Sequence, residues 1–265
     1  MKFDKDYTKY WSSAVKKSID GTKIAGLDEA NHFFKKINSK RNSYILDLGC
    51  SFGRMSKVLL KYSSNIFGVE PDEYAVSEAR KLEYLDVKQG AAEDIPFEKS
   101  FFDIIFCWAV MDVVNHGIAL REINRVLKLN GKFLITGKNL NYFKDDDLAF
   151  KAEKNAFLKN FPSKYTNVDG IIQNISKFGF EIKNLFVFSR RGDMGDLKYS
   201  EYKLDSTSSY NFYEYILIGK KVSCIDDLEL KEDSLSSPIS NTAKSMANDS
   251  GFENTVKYFK SIGLN

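Results

Sequence analysis

The pattern of apolar and polar positions changes character along the chain. Residues 7–37 set Tyr10, Trp11, Val15, Phe33, Phe34 and Ile37 among charges, at spacings that suit one or two amphipathic helices. From residue 44 onward, short apolar runs alternate with segments of helical period. The runs at 44–48, 65–69, 85–89, 102–108 and 132–136 read as strands, and 54–62, 73–82 and 118–127 as helices. A helix at 169–177, a strand at 181–188 and a closing strand at 211–218 complete the set. Such alternation predicts an α/β fold, a parallel sheet covered on both faces. Beyond Cys224 the chain is rich in Ser, Asn, Asp and Lys and loses the pattern, so a mobile tail is expected there. Within that tail Phe252, Val256 and Phe259 have the spacing of one face of a final helix. The expected division is a helical cap at 1–42, a sheet domain at 43–222 and a polar tail at 223–265.

The most telling junction is Ile45-Leu46-Asp47-Leu48-Gly49-Cys50-Ser51-Phe52-Gly53-Arg54, after which Met55 to Leu60 resume at helical spacing. A strand, a glycine-bearing turn and a helix start point unpaired backbone N–H groups over the strand's carboxyl end, the nucleotide crevice of doubly wound sheets. Only Gly49 and Gly53 are present, without the third glycine of dinucleotide enzymes. The second strand ends at Val69-Glu70-Pro71-Asp72, about twenty residues on, where a carboxylate can accept both ribose hydroxyls of a nucleoside. After the third strand, the acid pair Glu93-Asp94 precedes Ile95-Pro96-Phe97. A carboxylate there can receive an exocyclic amino group while the adjoining amide serves a ring nitrogen, and a turn or N-cap acid is the competing reading.

Composition narrows the classes. The chain has 265 residues, 43% of them hydrophobic, enough for one large domain and an appendage. Lys and Arg number 39 against 36 Asp and Glu, a balance that names neither nucleic acid nor membrane as partner. Three scattered cysteines, Cys50, Cys107 and Cys224, read as reduced thiols. The first residues mix both charge signs without an apolar core, and the longest apolar run, 104–111, is far short of a span, so a cytoplasmic protein is expected.

Five stretches in order carry a resemblance: Asp47-Leu48-Gly49-Cys50-Ser51-Phe52-Gly53, Val69-Glu70-Pro71, Ala92-Glu93-Asp94-Ile95-Pro96-Phe97, Phe102-Asp103-Ile104-Ile105-Phe106-Cys107, and Leu120 through Phe133. Together the region 44–136 resembles a class I S-adenosylmethionine-dependent methyltransferase. The resemblance implies a Rossmann-like, doubly wound sheet of seven strands, mostly parallel with an antiparallel last strand. It implies S-adenosylmethionine as cofactor, with Asp47, Gly49, Cys50 and Gly53 around its methionine part and Glu70, followed by Pro71, on its ribose. Asp94, beside Glu93, and Ile95 would meet the adenine, and Cys107 would lie beside the cofactor. An amino-terminal aromatic, Tyr10 or Trp11, would close over the sulfonium, as a cation is drawn to a ring face. Ser51 departs from the glycine common in relatives and tolerates left-handed backbone less well.

Methyl transfer asks the protein chiefly to align the nucleophile and take its proton. Relatives often carry paired histidines after the fourth strand, but this chain has Asp112 and Val113 there and His116 shortly after, so Asp112 and His116 are the candidate bases. Asn139, in the polar loop after the fifth strand, and the Arg190-Arg191 pair are candidate acceptor contacts. The acid triplet Asp145-Asp146-Asp147 suits a turn or helix start, and no metal is assigned to it. The expected acceptor is a small polar molecule, a sugar or sugar nucleotide among the candidates. Two other readings stay open: an NAD(P)-dependent oxidoreductase or epimerase, and a catalytically silent cofactor-binding protein.

Overall fold

The central strands carry apolar side chains on both faces because helices cover both. In the computed structural model, which describes residues 26–159, 161–204, 210–225 and 234–249, β1 (Ile45–Leu48) is buried at every position. Around it lie β2 (Ile66–Glu70), β3 (Asp86–Gln89), β4 (Phe102–Cys107) and β5 (Leu127–Lys138), all parallel. After the short β6 (Tyr165–Thr166) come β7 (Phe180–Phe188), β8 (Ser200–Glu201) and β9 (Glu214–Lys221). The strand order is β3-β2-β1-β4-β5-β9-β7-β8, and β9 runs antiparallel to both β5 and β7. The antiparallel final strand of the main sheet therefore inserts between its neighbours, and the two-residue β8 adds an eighth strand at the edge.

Alternation along each strand sorts its side chains into two cores. Ile45, Ile66, Ile104, Phe106 and Leu134 pack under α1 (Leu27–Phe34) and α2 (Ser56–Leu59). Leu46, Leu48, Val69, Ile105, Phe133 and Ile135 face the opposite layer, to which α4 (His116–Val126) and α6 (Val168–Asn174) contribute. The intervening α3 (Glu73–Ala79) starts at Asp72, whose carboxylate accepts the Ala75 amide at 2.8 Å. Each fully buried Phe or Leu contributes roughly 1.5–3 kcal/mol, so the two cores supply the main drive to fold.

Several elements lie outside the expected set. The acid triplet opens α5 (Asp147–Leu158): Asp146 caps it through the Ala149 amide, and Asp145 pairs with Arg190. This helix buries only Ala149 and Glu153, so it lacks the apolar stripe that reveals a helix in sequence. The expected mobile tail is corrected over residues 234–246. Here β10 (Ser236–Ser237) pairs with β6, Leu235 and Ile239 are buried, and α7 (Asn241–Asp249) follows. The burial of Leu235 and Ile239 is joined by polar contacts, and two apolar residues in a polar stretch make no hydrophobic pattern. The Glu153 carboxylate accepts the Tyr142 hydroxyl at 2.6 Å and both the amide and hydroxyl of Ser240 at 2.8 Å. The final helix expected around Phe252, Val256 and Phe259 lies outside the described residues.

Glu153→Ala leaves those three donors buried without an acceptor. It should lower stability by about 2–4 kcal/mol in equilibrium denaturation and accelerate proteolytic cleavage within 234–246. Unchanged stability and unchanged cleavage would contradict this role for Glu153.

Candidate active site

Strand order reverses between β1 and β4, and in open α/β sheets the crevice outside the carboxyl ends of the strands at that point receives ligands. The loop after β1 is built there with left-handed backbone at Gly49 (φ +75°), Ser51 (φ +53°) and Gly53 (φ +83°). Glycine adopts this conformation freely, whereas Ser51 does so at a cost. A Cβ at Gly49 would stand 2.3 Å from Val110 Cγ2, so the loop lies flush against the segment leaving β4. Most of the loop amides are engaged, contrary to the expectation of bare donors. Gly49 and Cys50 donate to the Val69 carbonyl, Ser51 donates to Glu70 Oε2 at 2.9 Å, and Gly53 donates to the Cys50 carbonyl. Of residues 49–53, only Phe52 has an N–H without an acceptor among the described residues.

Glu70 is the organising group. Its Oε2 takes the Ser51 amide and its Oε1 the Asp72 amide at 3.0 Å, leaving each oxygen a further lone pair. Burial pushes its carboxyl up to about 7, the two amides pull it back, and the charges of Asp72 and Asp47 add to the rise. Asp47, at the end of β1, accepts the Tyr84 hydroxyl at 2.6 Å; burial raises it to about 6, against Tyr84 and Arg54. Burial and these two acids hold the Cys50 thiol well above its ordinary value. Pro71 follows at the crevice edge, its carbonyl accepting from Gln89. Cys107 is sealed in the core rather than lining the crevice, its thiol raised first by burial and then by Asp47, Glu93 and Asp112.

The third motif is arranged differently from the expectation. The Ile95 amide donates to Glu122 Oε2 at 2.8 Å, Glu93 Oε1 accepts the Asn115 amide at 2.7 Å, and Asp94 is exposed. Glu122 is gripped by Arg125, whose guanidinium also donates to the carbonyls of Ile95 and Phe97. The Glu122–Arg125 pair of the fifth motif thus clamps the third-motif loop. One buried donor is left over. The N–H of Ala92, a residue 4% exposed, has no acceptor among the described residues. It follows β3, whose last residue pairs with Glu70, so the free amide and the acid come from the ends of neighbouring strands. Sequence reasoning passed over Ala92 because alanine carries no chemistry of its own. Tyr10 and Trp11 lie outside the described residues.

On the acceptor side, the structure separates the candidates. His116 is fully buried, with Nδ1 against the Val114 carbonyl at 3.2 Å and Nε2 against Thr166 Oγ1 at 2.9 Å. A carbonyl only accepts, so Nδ1 carries a proton towards Val114, and Nε2, the Thr166 hydroxyl and the Tyr215 hydroxyl, 3.0 Å from Thr166, form a hydrogen-bonded chain. His116 belongs to the core and is withdrawn as a base. Asp112 is bound to Lys138, through Nζ at 2.9 Å and the backbone amide at 3.1 Å. Asn139 is buried and tied to Asn141 and Tyr213, and Arg190 forms a two-toothed ion pair with Asp145 at 2.7 and 2.9 Å. Arg191 keeps an open side; its guanidinium donates to the Tyr213 hydroxyl at 2.7 Å.

Comparison with known proteins bears on this crevice. Residues 46–135 match the family model of a methyltransferase domain. That match covers about a third of the chain. A demethylmenaquinone methyltransferase of Lactobacillus johnsonii is 32% identical over 111 residues, 38% of this chain and 46% of that protein. YcgJ, an uncharacterized methyltransferase of Bacillus subtilis, is 33% identical over 98 residues, 34% of this chain and 39% of its own. Its crystal structure matches with a TM-score of 0.53 at 17% identity, over 73% of this chain and 97% of that one, which speaks to the fold. The chain spans about half the length of the curated relatives it matches. The unpaired Ala92 donor and the Glu70 acceptor suit a nucleoside. Among the described residues, no helix is long and apolar enough to cross a membrane.

Glu70 binds its proton more tightly folded than unfolded, so its contribution to stability falls as pH rises from about 4.5 towards about 7. Denaturation at pH 5 and pH 8 should show Glu70→Gln losing less stability over that interval than the wild type, by on the order of 2–3 kcal/mol. Equal losses would show that Glu70 ionises as an ordinary carboxylate.

Proposed function

We propose that the protein transfers the methyl group of S-adenosylmethionine to a small polar acceptor, with sugars and sugar nucleotides the leading class. The observation that carries this reading is the Glu70 carboxylate at the end of β2 together with the unfilled Ala92 N–H just beyond the neighbouring β3. Glu70 would accept the ribose hydroxyls on its remaining lone pairs, and Ala92 would donate to a ring nitrogen of the adenine. The loop at 49–53 would hold the methionine part, with the Phe52 N–H as its free donor. When bound, the cofactor supplies a methyl group on a sulfonium, already activated for transfer, so the chain's tasks are alignment, water exclusion and proton removal. Arg191 is the cation left for an anionic group of the acceptor, since Arg190 is committed to Asp145.

Isothermal titration should show S-adenosylhomocysteine binding and NAD not. Glu70→Ala should weaken the interaction about 10- to 100-fold, or roughly 1.5–3 kcal/mol, the worth of hydrogen bonds to a charged group. NAD binding in preference, or an unaffected Glu70→Ala variant, would contradict the proposal.

A further inference from the structure

Charged side chains from four parts of the fold meet at the carboxyl end of β5. Lys138 ends that strand and pairs with Asp112, which follows β4. Glu214, the first residue of β9, stands directly opposite Lys138 in the sheet register, so the two side chains share a face. Arg191, beyond the end of β7, rests on the Tyr213 hydroxyl. Glu214 differs from the others: it is half-buried, yet its carboxylate has no hydrogen bond or ion pair among the described residues. Nearby, Ser163 Oγ is the one buried side-chain polar atom of the described residues without a partner, and the next residue, Lys164, donates its amide to the Asp112 carbonyl at 2.6 Å. An acceptor and a hydroxyl thus flank the Asp112–Lys138 pair with nothing to bind. β4, which ends at Cys107 ahead of Asp112, pairs with β1 on one side and β5 on the other, so this cluster borders the crevice.

Resting on the methyltransferase reading above, we propose that Glu214 is the base that takes the proton from the acceptor's nucleophilic N–H or O–H, while Ser163 and Arg191 orient the acceptor. As that atom bonds to the methyl carbon, its proton passes to the Glu214 carboxylate. The carbon–sulfur bond breaks, its electron pair stays on sulfur, and neutral S-adenosylhomocysteine leaves. Burial raises the Glu214 carboxyl to about 7, with Asp112 and Asp146 adding to the rise and Lys138 and Arg191 opposing it. A base poised near neutral pH suits that task. Asp112, by contrast, is neutralised by Lys138 and serves to position it.

The test needs no knowledge of the acceptor. Calorimetry at pH 7, in buffers of differing ionisation enthalpy, counts the protons released on binding S-adenosylmethionine and S-adenosylhomocysteine. The sulfonium favours ionised Glu214, so the wild type should release more protons with the charged ligand. Glu214→Gln should cut that excess at least in half while binding S-adenosylhomocysteine within about twofold of the wild type. Glu214→Asp keeps a carboxylate and should retain the excess, and it serves if glutamine impairs folding. An undiminished excess in Glu214→Gln, or its loss in Glu214→Asp, overturns the role of Glu214 alone. Failure of both ligands to bind the wild type overturns the methyltransferase reading and this proposal with it.

Discussion

A single buried carboxylate ties the front of the sheet together. Glu70 holds the Ser51 amide with one oxygen and the Asp72 amide with the other, so the loop leaving β1 and the turn leaving β2 share one fixed point. Without it, the left-handed backbone of Ser51 would have no compensating bond, and α3 would lose the orientation of its Asp72 cap. Burying a carboxylate is costly, and its raised affinity for protons measures that cost. The arrangement makes sense where a ligand's hydroxyls arrive to share the charge.

The spacing of the later motif has an equally local effect. Glu122 and Arg125, one turn apart on α4, close on the backbone of Ile95 and Phe97 and fix the loop after β3. That clamp consumes the Ile95 amide, while the Ala92 N–H has no acceptor among the described residues. β4 lies between β1 and β5 and ends at the buried Cys107.

The strand-and-helix alternation was legible in sequence because it rests on periodicity, and the antiparallel last strand followed from the family resemblance. Three things were not. A backbone donor such as Ala92 leaves no trace in side-chain chemistry. Asp112 and Glu214 come together only through sheet register, with about a hundred residues between them, which spacing cannot reveal. The docking of 234–246 depends on Glu153 and Ser240, polar residues in a polar stretch, and a hydrophobic pattern is blind to it. His116 failed for the opposite reason: a histidine near the expected site invites a chemical role, and only its enclosure by Val114 and Thr166 shows that it is part of the core.

The most direct examination of this account is a crystal structure of the complex with S-adenosylhomocysteine. The account predicts both ribose hydroxyls within hydrogen-bonding distance of Glu70, the adenine edge on the Ala92 N–H, and the sulfur turned towards Glu214. A nucleoside seated elsewhere, or a ribose that leaves Glu70 untouched, would contradict it.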